Sequence, residues 1–265
     1  MAFPAHRCAA AALASALAVI AAANPASAQE TASRPRLEPL LDLDYSARAI
    51  AWDEKERFST LAKALLSAGV RIEWLKGWRI SALVGLNMSD WSGLIFRSLP
   101  FSVEDQAGSR AGLSAGAGLE NFIARLGSWD FKVEGRFMVS LGFKKTLPLS
   151  GLNEAGEVDM QGSWMHLRAG PVVTYRGFEG FSPFLGASFD RIWGSVTMDE
   201  SVGDLQGSEK KPVSGRGWAA LSGGILWEPG SAFGLGWEVS VYPYPKKGGS
   251  PGFDFGMSLK AFFPF

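Results

Sequence analysis

The chain has little cysteine and little histidine. Its one cysteine is Cys8, and its two histidines are His6 and His166. A lone cysteine excludes the disulfide framework of small secreted domains. With so few Cys and His, no ligand spacing for zinc is present. An excess of one charge is also missing, since 26 Lys+Arg stand against 26 Asp+Glu. That balance gives no basic field for nucleic acid. The glycine-rich stretch Gly112 to Gly118 lacks the Lys-Ser/Thr ending of a phosphate loop. Beyond residue 28 no run approaches the ~18 consecutive apolar residues of a membrane-spanning helix. The sequence therefore predicts no cofactor, no metal and no nucleic-acid partner.

What is there starts at the N-terminus. Arg7 precedes an uncharged apolar run from Ala9 to Ala23, which leads into Ala26-Ser27-Ala28. A cationic start, a short apolar core and an A-x-A ending predict a secretory signal peptide over residues 1–28, cleaved near Ala28. Residues 29–39 then form a periplasmic N-terminal segment, and residues 40–265 the main domain. Cys8 lies before the apolar core, so it is not positioned as a lipidation site.

Strict two-residue alternation dominates the main domain. From Trp129 to Phe143 one face reads Trp129, Phe131, Val133, Gly135, Phe137, Val139, Leu141 and Phe143. The other carries Asp130, Lys132, Glu134, Arg136, Met138 and Ser140. Side chains alternate across a strand, so this segment is apolar on one face and polar on the other. Its length exceeds the soluble mode of about 5–6 residues and suits a tilted membrane strand. Similar strands are predicted over residues 40–52, 65–74, 78–88, 110–126, 163–176, 181–196, 217–227, 233–242 and 253–265. Residues 58–66 have a short helix as an alternative. Arg191 is a misfit: it falls on the apolar face between Phe189 and Trp193, where a β-bulge or a snorkelling side chain would accommodate it.

Short links (Lys76-Gly77, Gly127-Ser128, 177–180, 228–231) alternate with long ones (53–64, 89–109, 145–162, 197–215, 245–252). Transmembrane barrels pair short periplasmic turns with longer outer loops in this way. The fold class is thus all-β, an antiparallel up-and-down transmembrane barrel of about ten strands, with eight or twelve as the alternatives. Aromatics near the strand ends are expected to form interfacial girdles: Trp74, Trp78, Trp129, Trp227 and Trp237, with Trp164, Trp193 and Trp218 near long loops. By parity Trp52, Trp164, Trp218 and Tyr242 fall on the polar face, which gives lining of the rim as the alternative for them. The polar face then lines the lumen with Arg48, Arg71, Glu73, Arg79, Glu120, Lys132, Glu134, Arg136, Arg168, Asp190, Glu238 and Lys260. Mixed charges in a narrow lumen are expected to pair.

The last segment alternates Phe253, Phe255, Met257, Leu259, Ala261, Phe263 and Phe265 against Asp254, Gly256, Ser258 and Lys260. With the leader and the terminal Phe265, the chain resembles bacterial outer-membrane β-barrel proteins, whose final strand typically ends in an aromatic residue. The resemblance implies an outer-membrane location, contact with lipid and lipopolysaccharide, and assembly machinery that reads the C-terminal strand through Phe265. It points to no single family. The rim motifs of outer-membrane hydrolases are absent. Omptin-like proteases would place Asp where Trp164 precedes His166, and phospholipases and deacylases would place Ser where Arg168 stands. The expectation is a non-enzymatic barrel, structural or a narrow passive conduit. The alternatives are a surface-binding barrel working through its outer loops and a rim hydrolase using His166.

Overall fold

The computed structural model describes residues 37–52, 58–101, 103–104, 108–149, 154–230, 233–246 and 250–263. The signal peptide, its cleavage near Ala28 and the terminal Phe265 lie outside the described residues. Fourteen strands are present among those described: β1 (Leu37–Ala51), β2 (Phe58–Leu75), β3 (Trp78–Ser92), β4 (Ile95–Phe96), β5 (Val103–Glu104), β6 (Arg110–Leu126) and β7 (Trp129–Gly142). They continue with β8 (Lys145–Leu149), β9 (Gly156–Tyr175), β10 (Phe181–Val202), β11 (Leu205–Gly215), β12 (Ala219–Trp227), β13 (Gly234–Pro245) and β14 (Pro251–Phe262). Each of the ten strands read from the sequence overlaps one of these, with overruns of one to three residues at an end of six of them. Where it expected a loop or helix before Ala64, however, β2 already runs from Phe58 in register with Ala51. The expected long loops after Lys145 and Thr197 are also largely strand, forming the β8–β9 and β10–β11 hairpins.

Ten strands close a ring: β1, β2, β3, β6, β7, β9, β10, β12, β13, β14 and back to β1, every pair antiparallel. Each strand pairs with its sequence neighbour in the ring, which is the up-and-down order. Closure removes the exposed sheet edges that make open sheets prone to aggregation.

The outside of the ring is apolar. Leu41, Leu43 and Tyr45 on β1, Val84, Leu86 and Met88 on β3, and Phe253, Phe255, Met257 and Leu259 on β14 all stand exposed. Their alternates Asp42, Ser46, Asn87 and Ser258 are buried in the interior. A continuous apolar belt far exceeds the few hundred Å2 that a soluble surface tolerates. Apolar-out, polar-in alternation on a closed ring is the transmembrane barrel arrangement. Among the described residues no helix is long and apolar enough to cross a membrane.

Among the described residues two β-bulges occur, between Glu73 and Leu75 and between Phe122 and Ala124, both beside tight turns. None occurs at Arg191. The β9–β10 ladder keeps one register from Phe184↔Thr174 to Val202↔Gly156, so Arg191 remains on the outer face.

The ring changes size along its axis. At the loop end β11 folds back from β10 and pairs with β1 through Ile50↔Gly215 and Ala51↔Ser214. It passes over the ends of β12, β13 and β14, which are only 9, 12 and 12 residues long. The ring there is β1, β2, β3, β6, β7, β9, β10, β11. Ten strands thus narrow to eight. Two backbone positions mark the change. The Ala49 N–H donates to Asp254 Oδ2 at 2.7 Å, and its carbonyl accepts from the Arg216 N–H at 3.1 Å. On β10 the partner strand switches between Phe189↔Ala219 and Trp193↔Ser214.

Candidate functional site

Diameter grows with strand number, and an eight-stranded barrel is just filled by its own side chains. The lumen follows this rule in two halves.

In the loop half most of the large inward side chains are apolar, with small polar ones such as Ser59 and Ser89 between them. Ile50 on β1, Leu61 on β2, Trp91 on β3, Trp164 on β9, Ile192 and Val196 on β10 and Val213 on β11 form one buried cluster. The segment after β3 folds onto it, burying Leu94 and Phe96 completely (0% exposed). Two carboxylates hold that segment: Ser98 N–H donates to Glu209 Oε2 at 2.8 Å, and Phe101 N–H to Glu200 Oε2 at 3.0 Å. Burial raises the Glu209 carboxyl, but the hydrogen bonds from Lys211 and from the Ser98 N–H outweigh it and hold the group below its ordinary value. Trp164 is therefore not a girdle residue. It is 1% exposed inside the barrel, with its Nε1–H donating to Ser89 Oγ at 2.9 Å and Lys63 Nζ lying 5.1 Å over its ring. Trp52 and Tyr242, also near long loops in the sequence, are likewise buried inward.

A polar layer forms the floor of this plug. Arg48 on β1 meets Asp190 on β10 at 2.5 Å, and His166 Nε2 lies 2.8 Å from the other Asp190 oxygen. The Arg48 guanidinium lies 3.8 Å over the Tyr242 ring. Arg48 and Asp190 adjoin the two points where the ring changes partners, so their pair ties the narrowing together. At 1% and 0% exposure the pair is a desolvated one, in which each charge depends on the other. Among the described residues the His166 ring is bonded to Asp190, and no hydroxyl or thiol nucleophile is bonded to it.

The turn half is different. It holds a cavity of about 660 Å3, lined from the turn residues Gly77, Arg125, Asp130 and Glu228 up to His166 and Met138. The volume falls within the ~300–1,000 Å3 usual for small-molecule sites. Of the residues expected to line the lumen, Arg71, Glu73, Arg79, Glu120, Lys132, Glu134, Arg136, Arg168, Glu238 and Lys260 all border this cavity. Arg48 and Asp190 lie in its ceiling layer. Arg71 bonds Glu38 at 2.5 Å, Lys132 bonds Glu134 at 2.6 Å and Arg168 bonds Glu238 at 2.6 Å. Arg136 pairs with Asp42, and Arg79 reaches Glu120 at 3.3 Å. The balanced, ion-paired lumen expected from sequence thus occupies only the turn half. Lys63, which bonds Asp44 at 2.6 Å, escaped the sequence reading because it lay in a stretch taken for a loop.

The aromatics on the outer wall sort by end. Trp74, Trp129, Trp227 and Trp237 are exposed near the turns, and Trp78 faces outward beside them, half-buried. Trp129 packs on Tyr175 at 4.8 Å and Trp227 on Phe233 at 5.7 Å. Towards the loop end only Trp193 and Trp218 remain of the three expected, Trp218 being 67% exposed. Among the described residues no group of three or more Cys, His, Asp or Glu gathers as a metal site would require.

A closed ten-strand ladder with an apolar belt defines the class, an integral membrane β-barrel of the architecture that spans bacterial outer membranes. No protein-family model and no curated protein matches the chain. Solved structures similar to it include the outer-membrane protease OmpT from Escherichia coli, at 10% identity over 89% of this chain and 99% of that one, TM-score 0.49. The translocator domain of the autotransporter NalP from Neisseria meningitidis is 13% identical over 98% of each chain, TM-score 0.46. The attachment invasion locus protein Ail of Yersinia pestis is 11% identical over 87% of this chain and 99% of that one, TM-score 0.33.

Proposed function

We propose that the chain is a non-enzymatic integral protein of the bacterial outer membrane whose barrel is closed at its outer end. The observation that carries this reading is the narrowing to eight strands around a buried apolar cluster. With short turns placed in the periplasm, the plug faces the cell exterior and the charged cavity faces the periplasm. A solute crossing the barrel would have to displace Phe96, Leu94 and the side chains packed beneath them. Of the two roles drawn from sequence, this favours a structural barrel over a passive conduit. The reading includes export by the leader, lipid and lipopolysaccharide against the apolar belt, and assembly through the C-terminal strand.

Surface binding is the second reading, favoured by the height of one wall. β9 and β10 run 20 and 22 residues, against the ~9–11 that span the bilayer. Together with β8 and β11 they form a sheet that rises beyond the apolar belt and is backed by the plug. A partner would meet a rigid sheet, not free loops.

Conductance of the purified protein in a planar lipid bilayer tests the closed-barrel reading. Electrical silence is expected for the native chain. Steady ohmic openings would overturn the reading.

A further inference from the structure

The cavity in the turn half is walled unevenly. On β2, β3, β6 and β7 it is a ladder of paired charges. On β10, β12 and β14 Phe184, Leu226 and Phe262 form an apolar patch, bordered by Ser188, Ser222, Ser258 and, on β13, Glu238. Glycines make room for these three side chains to lie against the wall. A Cβ on Gly224 would stand 2.6 Å from Phe184 Cζ, and one on Gly234 would fall closer still to the Phe262 ring. A Cβ on Gly236 would stand 3.1 Å from Leu226 Cδ2 and 3.8 Å from Lys260 Cβ, so Leu226 and the Lys260 stem flank bare backbone. The patch spans β10, β12 and β14 across the glycine backbone of β13, with Lys260 at its edge; Glu238 on that wall is already held by Arg168 at 2.6 Å.

That cation differs from the others. Nine cationic side chains line the cavity. Eight of them, Lys63, Arg71, Arg79, Arg125, Lys132, Arg136, Arg168 and Arg176, have a carboxylate within 4.0 Å. Among the described residues Lys260 alone has none. Glu134 is held by Lys132 at 2.6 Å. A carboxylate bound at this unpaired ammonium would gain a charge-assisted hydrogen bond.

We propose that this cavity binds an amphipathic anion, a single carboxylate on a short apolar body. The carboxylate bonds Lys260, and the body lies on Phe184, Leu226 and Phe262. The paired ladder opposite repels a second charge of either sign less than it would if unpaired, but offers it no free partner. Specificity is therefore for one head and one apolar end. The site stands on the cavity alone and does not require the outer end to be sealed.

The test uses the full protein in lipid nanodiscs, with 4-(trifluoromethyl)phenylacetate followed by fluorine NMR. Saturable binding is expected, with the neutral amide of the same probe at least tenfold weaker. Lys260→Gln should lose the preference for the acid over the amide, whereas Lys260→Arg should keep it. Leu226→Asn should weaken acid and amide together and leave their ratio unchanged. Lys210→Gln, on the far β11 hairpin, should behave as the native chain. Equal binding of acid and amide by the native chain would overturn the proposal. So would an unchanged ratio in Lys260→Gln, or no saturable binding at millimolar probe. Should Lys260→Gln fail to fold, the native acid-to-amide ratio and Leu226→Asn still decide. A conducting barrel that binds the probe would contradict the closed-barrel reading and leave this site standing.

Discussion

The two halves of the lumen solve the same problem in opposite ways. Both must fill or line the space inside a ring of strands. In the loop half, eight strands leave room only for side chains, and Ile50, Leu61, Trp91, Trp164 and Val196 exclude water as a soluble core does. In the turn half, ten strands leave a cavity of about 660 Å3 and the wall carries paired charges. The difference shows that polarity inside a membrane barrel follows ring size. Where side chains meet across the axis they can be apolar. Where they cannot, the space takes water, and charges line it.

This contrast orders the expected cost of mutation. The largest effect should come from the layer between the halves. Asp190→Ala leaves Arg48 buried with no carboxylate at hydrogen-bond distance, which should destabilise the barrel by about 3–5 kcal/mol in urea unfolding from lipid vesicles. A loss under about 1 kcal/mol would mean that water reaches this layer. Leu61→Ala in the plug should cost about 2–5 kcal/mol by the same assay, the usual range for a cavity in a packed core. Glu120→Gln in the cavity should cost about 1 kcal/mol or less, since a hydrated ion pair contributes little. Similar costs for Leu61→Ala and Glu120→Gln would erase the distinction between the halves.

The smallest effect concerns the segment covering the plug. Glu209 titrates below its ordinary value in the folded protein, so its contribution is present above the unfolded value of ~4.5. It is lost as pH falls through the folded value. The protection factor of the Ser98 amide, which removes the intrinsic slowing of exchange at low pH, should therefore fall at pH 3 relative to pH 6. Glu209→Gln should show the lowered protection factor at both pH values. Equal protection in the native chain at both would show that Glu209 does not hold the segment.

Much of this architecture was readable from alternation. The ten strands follow from faces such as Phe253, Phe255, Met257 and Leu259, because a lipid-facing residue every second position leaves a strong signal. The order of the ring follows from the alternation of short and long links. The narrowing was not readable. It depends on β11 pairing with β1, more than 150 residues away in sequence, and no local pattern encodes that partner. Its one trace is a change of character on the inner face. Leu83, Met138, Trp164 and Ile192 interrupt an otherwise polar series, Leu83 and Met138 bordering the cavity and Trp164 and Ile192 lying in the plug. Position near a strand end suggests a girdle for Trp164, although its parity already sets it on the polar, inward face where it is found. The charged lumen residues were legible by parity, but their partners were not, because Asp42–Arg136 and Arg48–Asp190 join strands far apart in the chain.

Thiol accessibility in the folded barrel measures the division of the lumen most directly. In a Cys8→Ser background, cysteines at Glu120 and at Val196 place one probe in each half. A small charged methanethiosulfonate reagent should label Glu120→Cys within minutes and leave Val196→Cys unlabelled until the barrel is unfolded. Labelling of both at similar rates would contradict a sealed loop half.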